Sequence, residues 1–414
     1  MRKNVPELRF KGFEDEWEKI HLSDSVERVV RKNKGNVTNR PLTISAQYGL
    51  VNQEEFFNKV VASKNLEGYY LLNNGEFAYN KSYSNGYPFG AIKRLDKYKN
   101  GAVSTLYICF KPKLNVDSDF LTQYFESSKW YREVSMVAVE GARNHGLLNI
   151  GVSDFFDTIH RFPSLQEQEK IANFLSKVDS IIEKQEKKVE YWNSYKKGMM
   201  QKIFSQKIRF KDGNGRDYPE WEEEKLGGIG QTYTGLSGKT KDDFGFGNGK
   251  YITYVNIFKN TKVDINMFDL VDIKKDEKQN KVLKGDILFT ASSETPNEVG
   301  MASVCDNNIE NLYLNSFCFG FRLNSKKDID YIFIGYLLRS PSLRKKISIL
   351  AQGSTRYNLS KSEFMKIKIQ IPCLEEQRKI VNFLSNIDNI IEKENKKLEE
   401  LKQWKKGLLQ QMFV

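Results

Sequence analysis

Three loops carry the residues best suited to chemistry. They are Asn80 to Arg94 (NKSYSNGYPFGAIKR), Thr234 to Lys241 (TGLSGKTK) and Gly353 to Asn358 (GSTRYN), and each mixes basic, aromatic and small polar side chains. Glycine lets a backbone approach a phosphate, lysine and arginine neutralise it, and arginine or asparagine can reach base edges with paired hydrogen bonds. The candidate DNA contacts are Lys81, Tyr83, Arg94, Arg143, Asn144 and His145 in the first half, and Lys239, Thr240, Lys250, Arg356, Tyr357 and Asn358 in the second. For any one loop a solvated turn is the plain alternative; three on one basic chain favour a polyanion. Arg143 and Arg356 sit at matching places in the two halves, which suits a phosphate clamp better than base readout. His145 fits a core or turn position better than a base contact.

Enzymatic signals are weaker. Gly235-Leu-Ser-Gly238-Lys239-Thr240 nearly matches a phosphate-binding P-loop, but the glycine needed earlier in that motif is Tyr233. The segment after Thr240 is too glycine-rich to be the helix whose N-terminus holds the phosphates. Gly245-Phe-Gly-Asn-Gly249 lacks dinucleotide spacing and reads as a flexible loop. The tetrapeptide that holds the target base in amino-methyltransferases is missing, as is the common nuclease pattern. No catalytic residue is assigned. Four cysteines without close pairing and three histidines argue against a zinc module or a disulfide framework, so no metal site is expected and the thiols read as buried.

Composition agrees with a polyanion partner. Lysine and arginine outnumber acidic residues to give a formal charge of +12, and the predicted pI is near 9.2. No apolar run is long enough to span a membrane and no signal core follows Met1, which makes the cytoplasm the expected compartment. At 414 residues the chain can hold two or three cores.

The elements that must position these loops announce themselves by repetition. Residues 163–204 return at 372–413 with 23 of 42 aligned positions identical. Both copies place apolar residues at alternating steps of four and three, the spacing of a coiled coil. The core positions are Ile171, Leu175, Val178, Ile182, Val189 and Trp192 in one copy and Ile380, Leu384, Ile387, Ile391, Leu398 and Leu401 in the other. The seams run on through Met199 and Ile203, and through Leu408 and Met412. Polar rungs fall at Gln185 or Glu394 and at Lys196 or Lys405, where such residues fix register. Gly198 and Gly407 invite a bend or a close approach. Pro163 and Pro372 sit just before each helix, where a missing N–H costs little. Each helix should be about 60 Å long, far too long to stand alone. Because both copies lie in one chain, they should pack on each other rather than across a homodimer.

Between the helices only islands repeat. Trp17-Glu18 with Leu22 matches Trp221-Glu222 with Leu226, and Arg9-Phe10 matches Arg209-Phe210. This divides the chain into 1–162, 163–206, 207–371 and 372–414, with globular parts of mixed α/β character. Strands are expected at 76–80, 103–110, 251–257, 286–291 and 312–323, and helices at 119–134 and 328–350. A duplication that keeps its helices and loses its globular likeness suggests one job done twice identically and two jobs done differently.

The paired helical repeats, each opened by Pro-x-Leu-x-Glu-Gln and carrying Ile-x-x-Phe-Leu-x-x-(Val/Ile)-Asp, resemble the specificity subunit of type I restriction-modification systems, as does the opening Pro6-Glu-Leu-Arg-Phe10 with Trp17-Glu18. The resemblance implies an α+β protein: two mixed α/β target-recognition domains (1–162 and 207–371) separated by a long antiparallel two-helix coiled coil, with a pseudo-two-fold internal repeat. It implies a non-catalytic subunit that binds double-stranded DNA, each recognition domain reading half of a bipartite target. It further implies docking of two modification subunits and two restriction subunits, with S-adenosylmethionine, ATP and magnesium held by those partners and no cofactor held here. Two other classes stay open on the residues alone: a coiled-coil protein that organises DNA, and a P-loop-like nucleotide-binding enzyme.

Overall fold

The computed structural model describes residues 4–45, 47–57, 65–83, 86–138, 148–325 and 328–414. The chain divides into two compact units, Met1–Glu186 with Lys396–Val414, and Lys187–Asn395. The repeats form two long helices, Leu165–Phe204 of 40 residues and Leu374–Gln411 of 38. Each helix passes through both units, so each unit contains the start of one and the end of the other.

In the first unit Asp179 pairs with Lys405 at 2.5 Å and Glu186 with Lys402 at 2.8 Å. Numbers rise along one helix as they fall along the other, so the helices run antiparallel. The second unit repeats this with Lys188 to Glu394 at 2.7 Å and Lys196 to Asp388 at 2.5 Å. The seam positions of both repeats are buried or half-buried. Removing each large apolar side chain from water contributes roughly 1.5–3 kcal/mol, which is what holds helices of this length in place. The polar rungs are occupied by ion pairs: Glu394 takes Lys188, while Lys196 and Lys405 each take an aspartate of the other repeat. Gly198 and Gly407 lie inside continuous helix with nothing within 4 Å of where a Cβ would stand, so neither marks a close approach.

Both units carry the same four-stranded antiparallel sheet. In the first the order is Val26–Arg28, Ile108–Pro112, Phe77–Asn80, Ala91–Arg94. In the second it is Gly230–Thr234, Cys318–Leu323, Ile287–Thr290, Ala302–Val304. A two-stranded ribbon precedes each long helix, Glu18–His21 with Ile159–Phe162 and Glu222–Lys225 with Lys368–Ile371. Each sheet packs against helix ends from both repeats. Ile171, Leu175, Leu408 and Met412 join Phe77 and Phe110 in one core; Met200, Ile203, Ile380 and Leu384 join Phe289 and Phe319 in the other.

Several expected elements are divided by turn chemistry. The strand expected at 251–257 ends at Ile252, because the Thr253 hydroxyl accepts from the Asn256 N–H and starts helix Tyr254–Lys259. The expected helix 328–350 breaks at Ser340-Pro341, where the Ser340 hydroxyl caps Pro341–Ile349 and proline takes the first helical position. The expected helix 119–134 is likewise two, Ser118–Glu126 and Tyr131–Val137. Residues 103–110 and 312–323 each hold two strand segments, parted by turns at Ser104 to Tyr107 and Asn315 to Cys318. The 245–249 segment is no flexible loop but part of strand Phe244–Ile252. There the pairing with Val271 slips between Phe244 and Gly249. Gly247, at φ +106°, lies where a Cβ would come within 2.4 Å of the Asp272 backbone, so the bulge requires glycine.

Candidate nucleic-acid interface

The Glu-Gln pair of each repeat ties a long helix to a globular part. Glu167 and Gln168 are buried, as are Glu376 and Gln377. Arg9 grips Glu167 through Nε and Nη2, both at 2.8 Å; Arg209 grips Glu376 at 3.3 and 2.9 Å, and Trp221 Nε1 donates to the same carboxylate at 3.0 Å. Gln168 accepts from the Asp117 N–H at 2.9 Å and donates to the Pro163 carbonyl at 2.9 Å. Gln377 does the same with Asp330 and Pro372, both at 2.8 Å. Asp117 and Asp330 in turn cap Ser118–Glu126 and Tyr331–Arg339. Each bond satisfies a polar group that burial would otherwise penalise by about 1–3 kcal/mol. The motif thus fixes the start of each long helix against the globular part that precedes it.

The candidate loops meet in the same way in both units. The residue after the central strand accepts a backbone bond from a later segment: Lys81 from Leu148 at 3.0 Å, Ala291 from Leu359 at 2.9 Å. In the first unit Lys81 also donates its ammonium to the Ile150 carbonyl at 3.0 Å, and Tyr83 is exposed. Arg143, Asn144 and His145 lie outside the described residues. In the second unit Ser292 and Ser293 pair with Asn358 and Tyr357. Arg356 sits in a cleft beside them, its Nε donating to Ser292 Oγ at 3.1 Å and its guanidinium 5.1 Å from the Phe317 ring. Phe317 is itself exposed. A cation held over an exposed aromatic face offers a phosphate a charge and a base a stacking surface. Phe317, Tyr254 and Ser292 were not among the residues read from sequence; only the exposed aromatic after Asn315 was a possible signal.

Three further candidates, Arg94, Lys239 and Thr240, are engaged internally. Arg94 bonds Asp96 at 2.6 Å, Asp119 at 2.7 Å and Ser118 at 2.9 Å. The Lys239 side chain is buried, paired with Glu277 at 2.5 Å and with the Asp272 carbonyl at 2.6 Å. Thr240 closes a short turn through Asp243, and the 3₁₀ segment after it spans Lys241–Asp243 only, so the lysine of the P-loop-like stretch is spent within the fold. Lys250 is exposed on strand Phe244–Ile252. No described contact joins Lys239, Thr240 or Lys250 to Arg356. Cys109, Cys305 and Cys318 are buried free thiols, and burial pushes their pKa values up to about 12, 11 and 12. Among the described residues no helix is long and apolar enough to cross a membrane.

Known proteins share this organisation. Residues 218–403 match the family described as type I restriction modification DNA specificity domain. Over 269 residues the chain is 30% identical to the type I restriction enzyme MjaVIII specificity subunit of Methanocaldococcus jannaschii, a match covering 60% of this chain and 59% of that one. The chain therefore spans about three fifths of that relative's length. Among solved structures, the S subunit of a type I restriction-modification system from M. genitalium aligns over 99% of both chains with a TM-score of 0.52 at 16% identity. A chain from a study of complex assembly and conformational transition in a type I R-M system aligns over 97% of this chain and 98% of its own, with a TM-score of 0.56 at 16% identity. The two structures share the fold. On these matches residues 218–403 are similar to the type I restriction modification DNA specificity domain, and the chain as a whole shares the fold of solved S subunits.

Proposed function

We propose that this chain is the non-catalytic DNA-specificity subunit of a type I restriction-modification enzyme, with residues 1–162 and 207–371 as two recognition domains. Each domain reads one half of an interrupted target in double-stranded DNA, and the helices at 163–206 and 372–414 set the gap. Two modification subunits dock on the repeated helices and bring S-adenosylmethionine and methyl transfer; two restriction subunits add ATP- and magnesium-dependent work. The protein acts in the cytoplasm. One observation supports this above the others: at Glu167-Gln168 and Glu376-Gln377 the same arginine, backbone N–H and proline carbonyl contacts recur, while the loops of the two globular parts differ in sequence. Equal locks give one partner two equivalent seats, and unlike loops give two different readings.

Within this reading Arg356 is a backbone clamp and Arg143 its counterpart in the repeat, with Lys81, Tyr83, Asn144, Tyr357 and Asn358 as further DNA contacts. Arg94, Lys239 and Thr240 shape their loops through their internal bonds. Co-expression with the cognate modification subunit, followed by sequencing of methylated genomic sites, tests the proposal. A single bipartite motif supports it; methylation that appears without this chain, at the same sites, refutes it.

A further inference from the structure

The second unit contains a cavity whose positive charge exceeds its internal counter-charge. It is lined by Lys196 and Lys197 of the first long helix, by Tyr336 and Arg339 of helix Tyr331–Arg339, and by Pro341 and Arg344 of the next helix. Arg339 donates to the carbonyls of Ala302, Ile257 at 3.1 Å and Asn260 at 2.8 Å. Arg344 donates to those of Gly300 at 2.6 Å, Asn297 at 2.9 Å and Val299 at 2.6 Å. All six acceptors are neutral, so the bonds orient both guanidinium groups without balancing them. Burial pushes both pKa values down to about 10, and for Arg339 repulsion from Arg344, which lines the same cavity, adds to it. Asp388 is the carboxylate that acts on Arg339, and it already holds the Lys196 ammonium at 2.5 Å and the Tyr336 hydroxyl at 2.5 Å. Four cations thus face one engaged carboxylate. Buried charge left in that state is costly unless a counter-ion arrives.

The first unit supplies a comparison within the same chain. Its corresponding cavity is lined by Lys405 and Lys406, the repeats of Lys196 and Lys197, but the domain side presents Glu126 and Tyr131. Glu126 ends its helix as Arg339 ends the matching one, and it is already paired with Lys93. The lysines recur and the arginines do not. Arginine's planar fork matches the oxygens of phosphate, and a charge of up to two answers a surplus of three better than a carboxylate can.

We propose that the cavity between Lys196-Lys197 and Arg339-Arg344 binds one phosphate group, and that its counterpart in the first unit does not. The phosphate is either free, as inorganic phosphate or a phosphomonoester, or part of a DNA backbone.

Calorimetric titration of inorganic phosphate into the full chain, in chloride buffer at low ionic strength, tests this directly. The expected result is one site per chain, weakened at least about tenfold by Arg339→Gln and about threefold by Lys197→Ala, and unchanged by Lys406→Ala. Lys197 is exposed and its substitution leaves the carbonyl anchors intact, so it reports even if Arg339→Gln fails to fold. A second arm measures binding to random-sequence duplex against salt. A slope lowered by about one unit in Lys197→Ala assigns the phosphate to DNA, and an unchanged slope with phosphate binding lost assigns it to a free phosphate. Absence of saturable phosphate binding, or equal binding by wild type and Lys197→Ala, overturns the proposal. So does loss of a modification subunit from the Lys197→Ala complex without any phosphate binding, which would make an acidic protein segment the occupant.

Discussion

The Lys405 ammonium lies 2.5 Å from the Asp179 carboxylate, and the repeat of each residue, Lys196 and Asp388, forms the same pair at the same distance. Asp179 and Lys196 stand 17 positions apart on one helix. Two parallel helices in register could not make both pairs. Antiparallel helices make them as one interaction used twice. Each aspartate also receives a bond from a globular part, Gln123 Nε2 at 2.7 Å on Asp179 and the Tyr336 hydroxyl at 2.5 Å on Asp388.

A double-mutant cycle on Asp179 and Lys405 should return a coupling of about 0.5–1 kcal/mol, because both side chains are partly exposed. Asp179→Ala should cost more than Lys405→Ala, since it also strips Gln123 of its acceptor. Urea denaturation of the full chain measures both, and equal losses with no coupling would contradict the pairing.

Arg9→Ala leaves Glu167 buried without its cation, and a loss of about 3–5 kcal/mol is expected. Arg209→Ala should cost less, because Glu376 keeps the Trp221 N–H. Denaturation midpoints compare the two; the reverse order would mean that the Trp221 bond does not support the second lock.

Acid should weaken the first unit through His160. Burial pushes its pKa from 6.5 down to about 3, and its ring nitrogens meet the Tyr124 and Thr158 hydroxyls at 2.7 Å each. The unfolded chain takes the proton more readily. Stability from the neutral ring is therefore complete above pH 6.5 and drains away as pH falls from there toward 3. His160→Asn should flatten that part of the stability curve, and parallel curves for the two proteins would remove His160 as the cause.

Arg356→Ala should weaken DNA binding about equally across sequences and lower the salt slope by about one unit. Arg94→Ala should leave the slope alone and reduce stability, because Arg94 serves Asp96 and Asp119. Altered base preference in Arg356→Ala with an unchanged slope would make it a reader rather than a clamp.

How much of the protein is legible in its sequence depends on where the information lies. The long helices were legible because Ile171, Leu175 and Val178, like Ile380, Leu384 and Ile387, repeat at a spacing with one structural meaning. The Glu-Gln motif was visible as a repeat, but its purpose needed Arg9 and Asp117, far away in sequence. Thr253 and Ser340 were missed because β-branched and apolar runs hid the caps that split them. Lys239 looked like a phosphate ligand until Glu277 stood beside it. The cavity at Arg339 and Arg344 joins residues from 193 to 344, and no local pattern could have announced it.

The central claim is that two unlike domains on one repeated scaffold each read half of a target across a set gap. Inserting one helical turn within residues 176–196, and the matching turn within 385–405, then sequencing methylated sites in cells that also express the modification subunit, tests it most directly. The account predicts both half-sites unchanged and a longer gap between them. Changed half-sites with a constant gap would contradict it.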